Sequence, residues 1–278
     1  MKGKPLAGRI RADVAEEVRT LGAVGIATVL VGDDPASETY IRLKHEAANE
    51  AGMTAVDVRL PPEISEDDLL VKVEELNADE SVDALLVQLP LPDHIDEARV
   101  IRAIEPVKDV DGLHPFNAGQ LLLGRPSLVG ATPVGVMALL EGHGVALDGA
   151  RAVVIGRSDI VGKPMAQLLM QANATVTICH SHTRELGHHT LDADVLVVAA
   201  GRAGLVSPEM VKPGGVVVDV GMNRTDAGLV GDVDPGAAEV AALITPVPGG
   251  VGPMTIACLL QNAVRCARFR RGELTYPA

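Results

Sequence analysis

The sequence predicts a two-domain α/β protein built on parallel sheets. Three observations carry this reading. Short apolar runs rich in β-branched residues recur at 25–32, 84–89, 152–155, 174–179, 194–200 and 215–220, and such runs read as buried parallel strands. Segments of helical length separate them, as a parallel sheet requires. The runs also fall into two groups, divided by the Gly- and Pro-punctuated polar loop 106–115 and a helix opening at Thr132-Pro133. This places one α/β domain at 1–135 and a second at 136–254, with a closing helix at 255–271 expected to pack back on the first.

Composition bounds the class. The chain has 278 residues, 47% hydrophobic and 22% charged, with two Tyr, two Phe and no Trp, so its core must be aliphatic. A net charge of −13 argues against nucleic acid as a partner. No stretch reaches the ~20 apolar residues of a membrane span, and MKGKPLAGRI lacks the apolar core of a signal peptide. Cys179, Cys258 and Cys266 have neither paired nor metal-ligand spacing, and read as buried thiols of a reducing cytoplasm. No metal site is expected.

Taken in order, residues 1–21 suit a helix with Ile10, Val14 and Val18 on one face. The strand ending at Gly32 leads into Asp33-Asp34-Pro35-Ala36-Ser37, a turn in which Ser37 or a neighbouring Asp can cap a helix reaching about Gly52. Residues 54–60 alternate as a strand, and 65–77 form a helix whose first-turn Glu66 and Asp68 suit its dipole. The buried strand at 84–89 stops at Pro90 and Pro92, and 96–105 is a short helix.

The second group opens with Ala152-Val153-Val154-Ile155, then Gly156-Arg157-Ser158-Asp159-Ile160-Val161-Gly162, then a helical pattern through Met165, Leu168 and Leu169. Strand, glycine turn, helix is the opening of a dinucleotide-binding Rossmann unit. Glycine lets a phosphate approach the backbone, and the helix N-terminus offers it N–H groups. The spacing departs from G-x-G-x-x-G, with Ser158 at the second glycine and one extra residue, so a generic strand-to-helix turn stays open on spacing alone. An NAD site places a carboxylate at the end of the second strand. Here that end reads Cys179-His180-Ser181-His182-Thr183. Arg157 and Ser181 can instead serve a 2′-phosphate, which favours NADP; the alternative is a solvated arginine and a helix-capping serine. Residues 245–255, TPVPGGVGPMT, form a shaped loop before the closing helix.

Some residues could do chemistry. Tyr40 and Lys44 sit four apart on one helix face, where a desolvated lysine can act as a base; a solvated lysine beside a tyrosine is the plainer reading. Gln88 ends a buried strand, where side chains point into ligand clefts. Asp109 and Asp111 flank Val110 in a loop. Each suits either a turn aspartate bonding its own backbone or a carboxylate gripping an N–H-rich heterocycle. His114, His180 and His182 have no zinc-like partners.

YIRLK, QLPLP, KDVDGLHP, GRSDIVGKP, CHSHT, DVGMNR, GDVD and TPVPGGVGPMT occur in this order along nearly the whole chain. Together they closely resemble the bifunctional methylenetetrahydrofolate dehydrogenase/methenyltetrahydrofolate cyclohydrolase family. The resemblance implies a cytoplasmic homodimer acting on tetrahydrofolate derivatives in one-carbon metabolism. It implies an N-terminal α/β domain, an NADP-binding Rossmann domain and an active site in the cleft between them. It makes Lys44 the catalytic lysine, with Tyr40 and Gln88 placing it and Asp111 holding the pterin. It assigns Gly156, Arg157, Ser158, Ser181 and Met222 to NADP, and Pro248, Gly249 and Gly250 to the folate slot. One departure is Gly130-Ala131-Thr132-Pro133, where the family often has P-C-T-P, so no cysteine chemistry is expected there. Rival readings are a monofunctional or NAD-dependent methylenetetrahydrofolate dehydrogenase, a shikimate-type or amino-acid dehydrogenase, and a catalytically silent NADP-binding regulator.

Overall fold

The computed structural model describes residues 1–226 and 228–277. The chain divides into two compact units: residues 9–130 with 256–278, and residues 1–8 with 131–255. The middle division, between residues 130 and 131, falls at the start of the continuous helix Ala131–Gly142. The first eight residues also cluster with the later unit, through the Gly3 N–H bonded to the Gly249 carbonyl at 3.0 Å.

The first unit follows from its hydrophobic pattern. Helix α1 (Lys4–Leu21) buries Val14 and Val18. Strand β1 (Gly25–Val31) is buried at all seven positions, because it lies in the middle of a three-stranded parallel sheet. Helix α2 (Pro35–Glu50) begins where the Asp34 carboxylate accepts the Ser37 N–H at 2.8 Å, which settles the cap in favour of the aspartate. Strand β2 (Thr54–Leu60) is an edge strand and alternates in exposure. Helix α3 (Glu66–Ala78) is capped by Ser65, and β3 (Ala84–Val87) is again fully buried. The order β2-β1-β3, all parallel, places β2 and β3 on opposite sides of β1. Val29, Val31, Leu69, Val73, Leu85 and Val87 form the core on one face, each worth about 1.5–3 kcal/mol of apolar burial.

Helix α4 (Glu97–Ala103) matches the expected short helix. Helix α5 (Pro115–Leu122) was not expected: its start falls at the end of the polar loop, where His114 Nδ1 accepts the Phe116 N–H and Pro115 takes the first helical position.

The second unit opens with α6 (Ala131–Gly142) and β4 (Arg151–Ile155). It continues through α7 (Gly162–Gln171), β5 (Thr175–Cys179), the short α8 (Leu186–Thr190), β6 (Val195–Val198) and β7 (Val216–Asp219). Two short strands, β8 (Asn223–Thr225) and β9 (Gly228–Val230), pair antiparallel, and β10 (Leu243–Ile244) adds an edge. These last pieces, like α8, are too short to show a period in the sequence. The main sheet is parallel in the order β10-β7-β6-β4-β5. Successive strands β5 and β6 lie on opposite sides of β4, which makes the carboxyl ends of β4 and β6 the place where a ligand crevice opens.

Helix α9 (Val251–Arg270) starts a turn earlier than expected, so Val251–Thr255 is helical rather than loop. Pro253 is tolerated there because a first-turn N–H has no intrahelical partner. Its later part belongs to the first unit, where Asn262 Nδ2 donates to the carbonyls of Val110 and Val129 at 2.9 and 2.8 Å.

Candidate active site

In the first unit, α2 and the exit of β3 bring two expected residues together. Lys44 Nζ donates to Gln88 Oε1 at 3.1 Å, and Gln88 Nε2 donates to the Leu89 carbonyl at 2.8 Å. The second bond fixes the amide so that its oxygen faces the lysine. Burial pulls the Lys44 pKa below its ordinary value, with the Asp111 carboxylate acting against that fall. Asp111 is pushed up to about 6, chiefly by burial, with Lys44 opposing and Asp109 adding to the rise. A lysine that loses its proton more easily than usual and a carboxyl that holds one more tightly, coupled through their charges, have the character of an acid–base pair. Tyr40 stands one turn before Lys44 on α2 and is partly buried.

The loop holding Asp111 explains the two aspartates. Asp109 is 2% exposed, and its Oδ2 accepts the His114 N–H and Asn117 Nδ2, both at 2.8 Å. It also takes backbone N–H groups of Gly112 and Leu113. Asp109 thus does the turn-aspartate work, while Asp111 is the carboxyl coupled to Lys44. Gly112 has φ +65°, and a Cβ there would come within 2.9 Å of the Leu128 carbonyl oxygen, so the turn beside Asp111 requires glycine. Lys108 of the same string is structural. Its fully buried ammonium donates to the carbonyls of Leu76, Asn77 and Asp79 at 3.1, 2.6 and 2.9 Å, which ties the end of α3 to this loop.

Sequence reasoning missed the support behind this loop. Asn117 is wholly buried and also donates to the Pro106 carbonyl, and its Oδ1 accepts Ser127 Oγ at 2.8 Å and Tyr276 Oη at 2.6 Å. Tyr276 stacks on Phe116 at 5.5 Å and meets Phe269 edge-on at 5.1 Å. Three of the chain's four aromatic rings therefore meet in one cluster. The scarcity of rings was visible in the sequence; their convergence was not.

In the second unit, a cavity of about 480 Å³ opens where β4, β5 and β6 end. Gly156, Arg157, Ser158, His180, Ser181 and Arg202 are among its lining residues, so four of the five expected nucleotide residues share one wall. The turn is built for close approach. Gly156 has φ +125°, and a Cβ on Gly162 would stand 2.2 Å from the Gly156 carbonyl oxygen. Ser158 Oγ accepts the N–H groups of Val161 and Gly162 at 3.2 and 3.4 Å, so that hydroxyl organises the start of α7. Arg157 and Ser181 are solvent-exposed on the cavity wall. His182 donates its N–H to His180 Nδ1 at 3.2 Å, which leaves the proton of a neutral His180 ring on Nε2. These residues suit the phosphates of a dinucleotide: glycines at the turn and helix N–H groups beyond it.

Met222 is exposed just past β7, beside the glycine of α9 at 252. Gly249 has φ +105°, and a Cβ on Gly250 would meet Pro246 O and Thr245 Cβ at 2.7 Å. Among the described residues, no three His, Cys, Asp or Glu side chains form a metal-binding group, and no helix is long and apolar enough to cross a membrane.

A parallel-sheet dinucleotide cradle in one unit and a desolvated lysine in the other place the chain among two-unit α/β dehydrogenases. The model of the tetrahydrofolate dehydrogenase/cyclohydrolase catalytic domain matches residues 1–111, and that family's NAD(P)-binding domain matches residues 130–271. The bifunctional protein FolD of Halothermothrix orenii is 53% identical, over 96% of this chain and 97% of that one. The crystal structure of the FolD dehydrogenase/cyclohydrolase from Campylobacter jejuni superposes with a TM-score of 0.95 at 46% identity, covering 97% and 98% of the two chains. The Trypanosoma brucei enzyme, solved with NADP cofactor and inhibitor, gives 0.92 at 40% identity, covering 98% and 97%. The chain belongs to the tetrahydrofolate dehydrogenase/cyclohydrolase family, whose members join a catalytic domain to an NAD(P)-binding domain.

Proposed function

We propose that this enzyme oxidises 5,10-methylenetetrahydrofolate to 5,10-methenyltetrahydrofolate with NADP, and then hydrolyses the methenyl product to 10-formyltetrahydrofolate. The observation that carries the reading is the Lys44–Gln88 hydrogen bond, with Asp111 as the lysine's electrostatic partner. When bound, the nicotinamide accepts a hydride from the methylene carbon, and the folate nitrogens stabilise the cation left behind. This chain's part in that step is alignment. Asp111 holds the pterin through its N–H groups, with Pro248, Gly249 and Gly250 assigned to folate as well. Gly156, Arg157, Ser158, Ser181 and Met222 hold the dinucleotide.

In the second reaction, water adds to the cationic carbon and one carbon–nitrogen bond opens. Lys44 takes one proton from the adding water and delivers it to the departing nitrogen, the second water proton leaves to solvent as the formyl carbonyl forms, and a lysine with a lowered pKa is suited to both transfers. Gln88 holds the ammonium in place, and Tyr40 borders it on the same helix face. NADP is favoured over NAD because 179–183 offers no carboxylate to a ribose hydroxyl, while Arg157 and Ser181 offer positive charge and a donor to a 2′-phosphate. We further propose a cytoplasmic homodimer.

The test follows reduced cofactor and methenyl product separately, with 5,10-methylenetetrahydrofolate and either NADP or NAD. Reduced cofactor forming with NADP, without matching build-up of methenyl product, supports the whole reading. Accumulation of methenyl product would overturn the second activity, and a preference for NAD would overturn the 2′-phosphate argument.

A further inference from the structure

Beneath the nucleotide cavity lies a buried carboxylate to which neither the sequence patterns nor the family resemblance assigns a role. Asp232 is fully buried. Its Oδ2 accepts the N–H groups of Ala200 and Gly201 at 2.7 and 2.9 Å, and its Oδ1 accepts the N–H of Arg202 at 2.8 Å. Three consecutive backbone donors thus converge on one side chain, in the turn that leaves β6, where Gly201 has φ +63°. That turn supplies Ala200 and Arg202 to the cavity wall. Oδ1 also accepts Asn223 Nδ2 at 2.8 Å, and Asn223 follows Met222 in the segment that leaves β7.

The carboxylate is itself held in place. Asp219, the last residue of β7, accepts the N–H groups of Gly221 and Asp232, each at 2.9 Å, and of Val233 at 3.0 Å. Two glycines make the packing possible. A Cβ on Gly221 would stand 2.3 Å from the Asp232 carboxyl, and one on Gly231 would stand 1.8 Å from Asp219 Oδ2. The sheet end, Asp219, Asp232 and the two exit segments form one continuous chain of charge-assisted hydrogen bonds.

We propose that Asp232 is a positioning residue of the nucleotide site: one buried carboxylate fixes both the β6 exit turn and the β7 exit segment, and so the wall against which the dinucleotide lies. This rests on the cavity being the NADP site. Asp232 touches no ligand itself. It acts by removing the freedom of Ala200–Arg202 and Met222–Asn223 before the cofactor arrives, so less ordering remains to oppose binding.

The test compares the wild type with Asp232→Asn and Asn223→Ala. It measures NADPH dissociation by calorimetry, and turnover of 5,10-methenyltetrahydrofolate in the absence of nucleotide. An amide has one acceptor oxygen and turns an NH₂ toward backbone donors, so Asp232→Asn should weaken NADPH binding about ten-fold or more. Asn223→Ala keeps the carboxylate and should weaken it by about three-fold. Nucleotide-free cyclohydrolase turnover, and the dehydrogenase kcat at saturating NADP, should stay within about two-fold of wild type. Wild-type dissociation constants in both variants overturn the proposal, as does parallel loss of both activities in Asp232→Asn with NADPH binding unchanged. If Asp232→Asn does not fold, unchanged binding by Asn223→Ala is sufficient to overturn it. A wild-type enzyme that fails to bind NADPH strikes the functional reading instead.

Discussion

Lys44 and Gln88, 44 residues apart in sequence, are joined by a 3.1 Å hydrogen bond whose acceptor is oriented by a second bond to the Leu89 carbonyl. Replacing Lys44 by Met keeps the bulk and removes the proton carrier. Cyclohydrolase turnover should fall by about 10²–10⁴-fold, the usual worth of a general acid–base group. Dehydrogenase activity, which needs alignment more than proton transfer, should fall far less. A Lys44→Met enzyme hydrolysing methenyltetrahydrofolate at the wild-type rate would remove the lysine from the mechanism.

Asp111 links function to stability in opposite directions. Its pKa is about 6 in the folded chain against an ordinary 3.8. A carboxyl raised on folding favours the native state fully below its ordinary pKa, and that contribution is lost as pH rises through the folded value, here about 6. The ionised form is therefore costly at neutral pH, by up to about 3 kcal/mol. Asp111→Asn should unfold at a higher urea midpoint than wild type at pH 7.5, with the difference gone below pH 4, while its folate KM rises. A variant less stable than wild type at pH 7.5 would contradict the burial argument.

Arg157 and Ser181 should determine cofactor choice. Arg157→Gln should raise the KM for NADP by about 10–100-fold, as loss of a charged hydrogen-bonding partner does, and leave the KM for NAD nearly unchanged. Ser181→Asp should move preference toward NAD by placing a carboxylate where the ribose hydroxyls lie. Equal losses with both cofactors would mean that Arg157 does not meet the 2′-phosphate.

Tyr276 and Asn117 should differ sharply in stability. Tyr276→Phe keeps the ring contacts and removes one hydrogen bond, a loss of about 1 kcal/mol in urea unfolding. Asn117→Ala leaves Ser127, Tyr276, Asp109 and the Pro106 carbonyl each short of a partner in the interior, and should cost about 3 kcal/mol or more. Similar small losses for both would mean that water replaces the amide.

The strands and long helices were readable in the sequence because each carries a period or an unbroken apolar run. β1 and β6, buried throughout, are unbroken uncharged strings, GIATVLV and VLVV. The short β8, β9 and β10 have two or three residues each and owe their place to the strands they pair with. The chemistry was readable where a motif is local: Tyr40 to Lys44 is one helical turn, and the turn at 156–162 is contiguous. Supporting residues were not, because Asn117 with Tyr276, or Asp232 with Ala200, meet only after folding. Asp109 and Asp111 show the limit well. Two residues apart and chemically identical, they separate into backbone anchor and lysine partner only once the loop closes on itself.

The clustering of Phe116, Phe269 and Tyr276 has an optical consequence. With no tryptophan in the chain, near-ultraviolet emission comes from two tyrosines alone. Tyr276 sits partly buried among rings, and Tyr40 stands on the helix that carries Lys44. Tyr276→Phe would leave Tyr40, one helical turn from Lys44, as the single remaining tyrosine emitter. The scarcity of rings that forces an aliphatic core thus makes the enzyme a nearly dark background, against which occupancy beside Lys44 and the blue emission of reduced cofactor can each be followed without labelling.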